Sequence, residues 1–476
     1  MNIRLIHCLL MTLLTTLPHQ SFPQQNPPSE HIEQYFNRIK KDPKALREFL
    51  WQMPKGGDIH HHFIGSVFAE QYVDAAIKGD LWIDPDTYQL YFDQTDALAK
   101  NTLKAVSVKT LLAQNPAERE EMIDHWSVRN HEQHERDGHH WFFATFQKFL
   151  PAVAGNESSL LSELCRAAAE ENLQYLETMV EVPSILARVA KLAEGKEWQP
   201  GKDLEAHLNE WFAYLGEQEL RHWAEYNAEV IDHWHYNTDK HGIELKFQTA
   251  AFRVKPNPAV VFAHMVLAFQ TATLSKEMRG VNFVSPEDHQ ISLVNYDLHM
   301  EMFRFLKTKF PKVNLSLHAG ELVDDKGDTR EHDLKFHIDH AITIAGAQRI
   351  GHGVDIDSET RKDELLAIMR AQQIAVEINL GSNEVILQTT TETHPINTYL
   401  EANIPVCISS DDAGILRSDL THQYELLVRY VPELSYVQLK QIVKNSLTHS
   451  FLNASEKAQY TEKLGKAFGR FELQIL

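Results

Sequence analysis

Two histidines one residue apart, His60 and His62, close the short run Asp58–His62. Side chains alternate across an extended strand, so these two share a face while His61 takes the other. Comparable runs further along end in His318-Ala319-Gly320-Glu321, Gly351-His352-Gly353 and Ser409-Ser410-Asp411-Asp412. The two imidazoles, a third from His318 and the carboxylate of Asp411 make a nitrogen and oxygen set suited to Zn2+. Such an ion lowers the pKa of a bound water to about 7 and so supplies a nucleophile at neutral pH. Glu321 is not needed as a ligand and is free to carry a proton, while His352 is placed to orient and deprotonate the water. Asp412 has the opposite strand parity from Asp411, which suits a substrate contact better than ligation. A lone buried histidine is more often a satisfied core residue, but separate placements at four strand ends argue against that reading here.

These residues require a frame that brings distant strand ends together. Short apolar runs recur at Asp58–His62, Tyr175–Val182, Ile243–Val254, Arg279–Val284, Val313–His318, Arg349–Val354, Ala375–Leu380 and Pro405–Ser410. Helix-like segments such as Ala259–Leu274, Tyr296–Lys309 and Ser358–Gln373 lie between them. Alternating strands and helices predict parallel strands buried on both faces. Eight such units predict an α/β fold, a closed (β/α)8 TIM barrel, with an open doubly wound sheet as the alternative. In a barrel the C-terminal strand ends share one mouth, where catalytic side chains gather. A bare barrel takes about 250 residues, so the chain has room for more. The pattern predicts an N-terminal helical extension over 25–52 and a barrel domain over 53–476. Roughly 66–172 reads as a long helical insertion between strands one and two. The fourth run ends Val284-Ser285-Pro286 with no carboxylate before Glu287, which favours one metal over two.

The 476 residues carry 46 basic and 66 acidic side chains, a net charge of −20 that repels phosphate and argues against a nucleic-acid polymer as partner. Three cysteines, Cys8, Cys165 and Cys407, are too few for a disulfide scaffold or a Cys-rich zinc module. Arg4 followed by the apolar Leu5–Leu17 reads as a secretion signal over residues 1–24, predicting an exported protein, secreted or periplasmic. No later segment has the ~18 uninterrupted apolar residues of a membrane span. The stretch His131–His140 reads as a solvated helix face, and Glu135 stands where a zincin needs its second histidine. There is no P-C-x-x-C, P-loop or G-x-S-x-G elbow.

Taken with their order along the chain, the motifs resemble the adenosine deaminase family. Met53-Pro54-Lys55-Gly56-Gly57-Asp58-Ile59-His60-His61-His62 is similar to its metal-binding opening, and His318–Glu321, Arg349–Gly353 and Ser410–Asp412 match its other signatures. The resemblance implies one zinc per chain, held by His60, His62, His318 and Asp411. It implies that Glu321 protonates purine N1, that a zinc-activated water oriented by His352 and Asp411 attacks C6, and that ammonia leaves. Asp412 would bind N7. The substrate would be adenosine or a related 6-aminopurine nucleoside, hydrolysed to the inosine-type product. Phe142, Phe146 and Phe149 resemble the helix that roofs the purine, an ordinary core stripe being the alternative. Ser285 falls where the family uses a glycine whose N–H meets N3. Where the family usually places an Asp for the ribose 5′-hydroxyl, this chain has Phe63-Ile64, which opens the substrate range to 5′-altered, deoxyribose or sugar-free purines. The apparent export signal, the Met-Pro-Lys-Gly-Gly opening and Asn379–Asn383 before His394-Pro395 lean towards the secreted growth-factor-like branch, which implies a homodimer through the N-terminal helices. The rival functions are a barrel amidohydrolase acting on another amino-substituted ring or amide, and a non-catalytic exported nucleoside- or receptor-binding protein.

Overall fold

In a computed structural model, residues 28–475 are described apart from 135, 136, 200 and 202. The expected signal segment, 1–24, lies outside the described residues. The eight runs become strands β1 (Gly56–His62), β2 (Leu173–Met179), β3 (Glu244–Phe252), β4 (Met278–Val284), β5 (Asn314–Ala319), β6 (Arg349–His352), β7 (Ala375–Ile378) and β8 (Val406–Ile408). They pair in parallel in chain order. The ring closes between β1 and the end of β8, where His62 N–H donates to the Asp411 carbonyl at 3.0 Å and Asp411 N–H donates to the His60 carbonyl at 3.1 Å. This seam joins two of the chemically interesting strand ends directly.

Strands buried on both faces explain the continuous apolar runs, but the barrel interior is not wholly apolar. Arg349 lies 2.5 Å from both Glu177 and Glu377, and all three are buried. Gln248 donates to Glu177 at 2.9 Å, and Ser316 donates to Glu377 at 2.9 Å. An unpaired charge at this depth costs several kcal/mol, so each member of the layer depends on the others. Outside β3, the helix Pro258–Leu274 is apolar nearly all round because it is buried on both sides. Helices Pro183–Glu194 and Leu220–Asn237, formed between β2 and β3, pack against it.

Within the expected N-terminal helical extension over 25–52, the described residues form two helices, Pro28–Ile39 and Pro43–Gln52. Asp42 caps the second by accepting the N–H groups of Lys44 and Ala45, and Pro43 sits where no intrahelical N–H is required. Their apolar face is used within the chain: Phe36 and Phe49 pack on Tyr436, and Phe49 on Phe471.

The insertion is not purely helical, as its composition had suggested. Trp82–Ile83, Leu90–Tyr91 and Val106–Ser107 form a three-stranded antiparallel sheet with a small core at Tyr91, Ala97 and Ala105. β-prone pairs flanked by turn residues form strands too short to show a periodicity. The insertion returns to the barrel as the helix Gly138–Phe149, capped by Asp137. Gly138 allows its close approach, since a Cβ there would lie 2.3 Å from the Val385 carbonyl oxygen. That contact seats the helix over the barrel mouth. The expected solvated face at His131–His140 is corrected in part: His131–His134 is a short 3-10 turn, and His139 turns inward to lie 2.7 Å from Asp288. Cys165 and Cys407 are buried and free. Among the described residues no helix is long and apolar enough to cross a membrane.

Candidate active site

Four donor atoms converge where β1, β5 and β8 end. His318 Nε2 is 3.1 Å from His60 Nε2 and 3.2 Å from His62 Nε2. Asp411 Oδ1 is 3.4 Å from His60 Nε2 and 3.2 Å from His62 Nε2. A tetrahedral ion with bonds of 2.0–2.1 Å requires edges of about 3.3 Å, which these separations match. Asp411 Oδ1 is buried without a hydrogen-bond partner, as expected of an atom whose partner is a cation. The cluster is therefore fit for one divalent metal ion. A second grouping, His60, His318, His352 and Asp411, is also compact. His352 Nε2, however, stands 3.9 Å from Asp411 Oδ2, outside the tight set.

The far sides of the rings explain their orientation. His60 Nδ1 meets Glu377 Oε2 at 2.6 Å, and His318 Nδ1 meets Asn282 Oδ1 at 2.8 Å. Because both partners are acceptors, the ring protons sit on Nδ1 and both Nε2 lone pairs point into the cluster. His61 faces the other way, with Nδ1 2.8 Å from Thr178 Oγ1.

Glu321 stands beside the cluster, its Oε1 3.5 Å from His352 Nδ1. Burial, reinforced by Asp411, Glu287 and Asp288, holds its carboxyl well above the usual range, which favours the protonated form. Its turn is fixed from behind: the N–H groups of Gly320 and Glu321 donate to Glu287 at 3.1 Å each. Glu287 in turn meets His337 at 2.6 Å and Arg253 at 3.4 Å. Burial would raise this carboxyl, but Arg253 and His337 hold it down at about 2. Gly320 has φ +74° and space for no side chain, Asp355 lying 2.3 Å from where a Cβ would be. The Ala-Gly-Glu spacing thus has a steric cause.

His352 is buried between the amides of Asn379, at 3.3 Å, and Asn383, at 3.0 Å. His394 meets the Asn383 oxygen at 3.1 Å, so the Asn383 NH2 faces His352 Nδ1. His352, Asp411 and Ser285 have φ of 66°, 60° and 87°, left-handed backbone that non-glycine residues rarely adopt. For Ser285 this is the conformation a glycine would take freely.

The cluster forms the floor of a cavity of about 440 Å3. Asp412, Ser285, Phe142 and Phe146 all line it. Asp412 Oδ1 has no hydrogen-bond partner, and Gly65 makes room for it, since a Cβ there would lie 1.5 Å from that oxygen. Phe149 does not reach the cavity; it is buried and stacks on Tyr72 at 4.4 Å. Sequence reasoning missed Glu377, Asn282, Glu287 and the wall residue Glu181. A signal existed for Glu377, because a charged residue inside the run Ala375–Leu380 requires a buried partner.

Residues 238–467 match the family model described as adenosine deaminase. The adenosine deaminase of Aliivibrio fischeri is 34% identical over 166 residues, 34% of this chain and 45% of that protein. That of Escherichia coli O157:H7 is 35% identical over 155 residues, 32% of this chain and 41% of that protein. The chain thus spans less than half the length of these relatives in the match. Among solved structures, the adenine deaminase of Arthrobacter aurescens superposes with a TM-score of 0.51 at 16% identity, covering 87% of this chain and 98% of that one. The N6-methyl-AMP deaminase of Arabidopsis thaliana does so with a TM-score of 0.54 at 15% identity, covering 88% and 98%. At this identity the likeness is one of fold. Barrel, ligand cluster and partial family match together make the chain similar, at the family level, to the adenosine/adenine-deaminase-like metal-dependent hydrolases.

Proposed function

We propose that the protein is a zinc-dependent aminohydrolase that removes the 6-amino group of adenosine or a related 6-aminopurine nucleoside and releases ammonia. The observation that carries this reading is the convergence of the His60, His62, His318 and Asp411 donor atoms beside Glu321, whose carboxyl burial holds well above the usual range. An all-nitrogen-and-oxygen set of this size suits zinc, which when bound would lower the pKa of a water at this spot to about 7.

The residues divide the remaining work. Glu321 gives its proton to the ring nitrogen beside the amino-bearing carbon, which makes that carbon more electrophilic. His352 and Asp411 orient the attacking water. Asp412 contacts the five-membered ring, the Ser285 N–H meets the six-membered ring, and Phe142 and Phe146 cover the base and exclude bulk water. The test is an ammonia-release screen of adenosine, 2′-deoxyadenosine, 5′-modified adenosines and adenine, with metal content measured on the same sample. Release accompanied by about one zinc per chain supports the reading. A zinc-loaded protein that deaminates none of them overturns it.

Export after loss of residues 1–24 and pairing of two copies through the N-terminal helices belong to the same proposal. N-terminal sequencing of the protein from its producing cell and sedimentation of the purified chain test them.

A further inference from the structure

Beyond the four converging donor atoms, the cavity wall carries a carboxylate that nothing in the protein occupies. Glu181 lies just beyond β2, and among the described residues it has no hydrogen bond or ion pair. Strand register pairs His62 with Met179. Two residues further on, Glu181 therefore comes beside the Phe63–Ser66 turn that follows β1. Both Glu181 and that turn line the cavity, and the surrounding wall is apolar, formed by Ile64, Phe142, Phe146 and Leu186. Burial pushes the Glu181 carboxyl up to about 7.

A carboxylate left without a donor in an apolar cavity is unfavourable, and a ligand bearing O–H donors removes that cost. The two oxygens of one carboxylate suit adjacent hydroxyls, each of which is a donor. The other carboxylates lining the cavity are Glu321, Asp411 and Asp412, and the only lysine or arginine among the described lining residues is Lys255. Its amine stands 5.6 Å from the Phe252 ring centroid. A phosphate entering here would meet four carboxyl groups and the single ammonium of Lys255.

We propose that Glu181 accepts hydrogen bonds from the sugar hydroxyls of the substrate, so that the enzyme selects an uncharged nucleoside over both the free base and the 5′-phosphorylated nucleotide. The inference rests on the deaminase reading and supplies the polar sugar contact that Phe63 and Ile64 do not.

The experiment compares zinc-loaded wild type, Glu181→Ala and Glu181→Gln on adenosine, 2′-, 3′- and 5′-deoxyadenosine, adenine and AMP. Thermal denaturation verifies that the variants are folded. In wild type, adenosine exceeds AMP and adenine by about tenfold or more in kcat/KM. Glu181→Ala lowers kcat/KM for adenosine by about ten- to a hundredfold, chiefly through KM, as expected for a hydrogen bond to a charged group. The loss shrinks for the deoxy analogue that lacks the contacted hydroxyl, and Glu181→Gln recovers part of it. Equal losses on adenosine and adenine overturn the assignment, as does a wild type that prefers AMP, which would make Lys255 a phosphate partner. Should wild type deaminate nothing, the functional reading fails by itself. Calorimetric binding of inosine against hypoxanthine then still reads Glu181: weaker inosine binding alone in Glu181→Ala supports the contact, and unchanged inosine binding overturns it.

Discussion

On the floor of the cavity, nearly every ionisable side chain is held by a second group from the protein. Glu377 holds His60, Asn282 holds His318, two asparagines hold His352, and Glu287 holds the Gly320–Glu321 turn. The roof and outer wall are made differently: Phe142, Phe146, Leu150 and Ile64 keep their positions by packing, and one ion pair, His139 with Asp288, ties the roof helix to the loop after β4. The two regions also come from different stretches of chain. Most of the floor lies within residues 238–467, whereas the roof, Glu181 and the His60/His62 pair precede them. The two regions divide the labour. Hydrogen-bonded floor residues fix reacting groups to within fractions of an ångström, as the chemistry requires. An apolar roof tolerates change of shape and can set the choice of substrate.

The strongest way to break that division is at Glu321. Glu321→Gln keeps the shape but removes the proton, so kcat should fall by about 10²–10⁴-fold, the usual weight of a general acid, with zinc content unchanged. Unchanged turnover would remove the proton-donor role. The same residue fixes the sign of the pH dependence. Burial and neighbouring carboxylates raise its pKa, so the protonated, active form persists above the usual carboxylate range and is lost as pH rises through the folded value. Activity should therefore decline on the alkaline side, and the residual activity of Glu321→Gln should lack that limb in a pH–rate profile.

A smaller effect is expected one layer below. Glu377→Gln leaves His60 without its carboxylate and should weaken zinc binding about 10–100-fold, read by competition with a chelator. Arg349→Met breaks the pairs with Glu177 and Glu377 and should cost roughly 3–5 kcal/mol of stability in denaturant unfolding. A metal affinity untouched by Glu377→Gln would mean that the floor does not depend on its support.

This supporting layer also marks where sequence reading stopped. The barrel was legible because strands buried on both faces write themselves as apolar runs, and the reacting groups because they terminate those runs. Glu377 and Arg349 lie inside runs, on adjacent strands, and the Ala375–Arg349 pairing that sets their relative height is a three-dimensional fact. Glu181 was hidden for a different reason. It lies near the end of the run Tyr175–Val182 without a motif of its own, and only the β1–β2 register brings it near Ile64. The small sheet of the insertion has strands of two residues, too short for any period to emerge.

On the roof, Phe146→Ala should raise KM by about tenfold, since stacking of a base on an aromatic ring contributes roughly 1–3 kcal/mol. Its kcat should change far less. Phe146 is only partly buried, so its loss disturbs the core less than truncation of the buried Phe142 would. Steady-state kinetics on adenosine separate the two constants. A fall in kcat as large as the rise in KM would mean that the roof takes part in the chemical step.

The mildest change tests the boundary between the regions. His139 Nε2 and Asp288 Oδ2 lie 2.7 Å apart, joining the helix Gly138–Phe149 to the loop that carries Ser285 and Glu287. His139→Ala removes the tie while Gly138 still packs against Val385 and Trp141 still donates its indole N–H to the Ser127 carbonyl at 2.7 Å. The roof should therefore stay in place on average and close less firmly. One ion pair of this kind contributes about 0.2–1 kcal/mol, which predicts a rise in KM of at most about fivefold, similar for every substrate that fills the cavity, with kcat and zinc content held. A collapse of kcat, or loss of metal, would show that the Asp288 loop transmits the roof's position to Glu287 and hence to Glu321. The floor would then not be independent of what covers it.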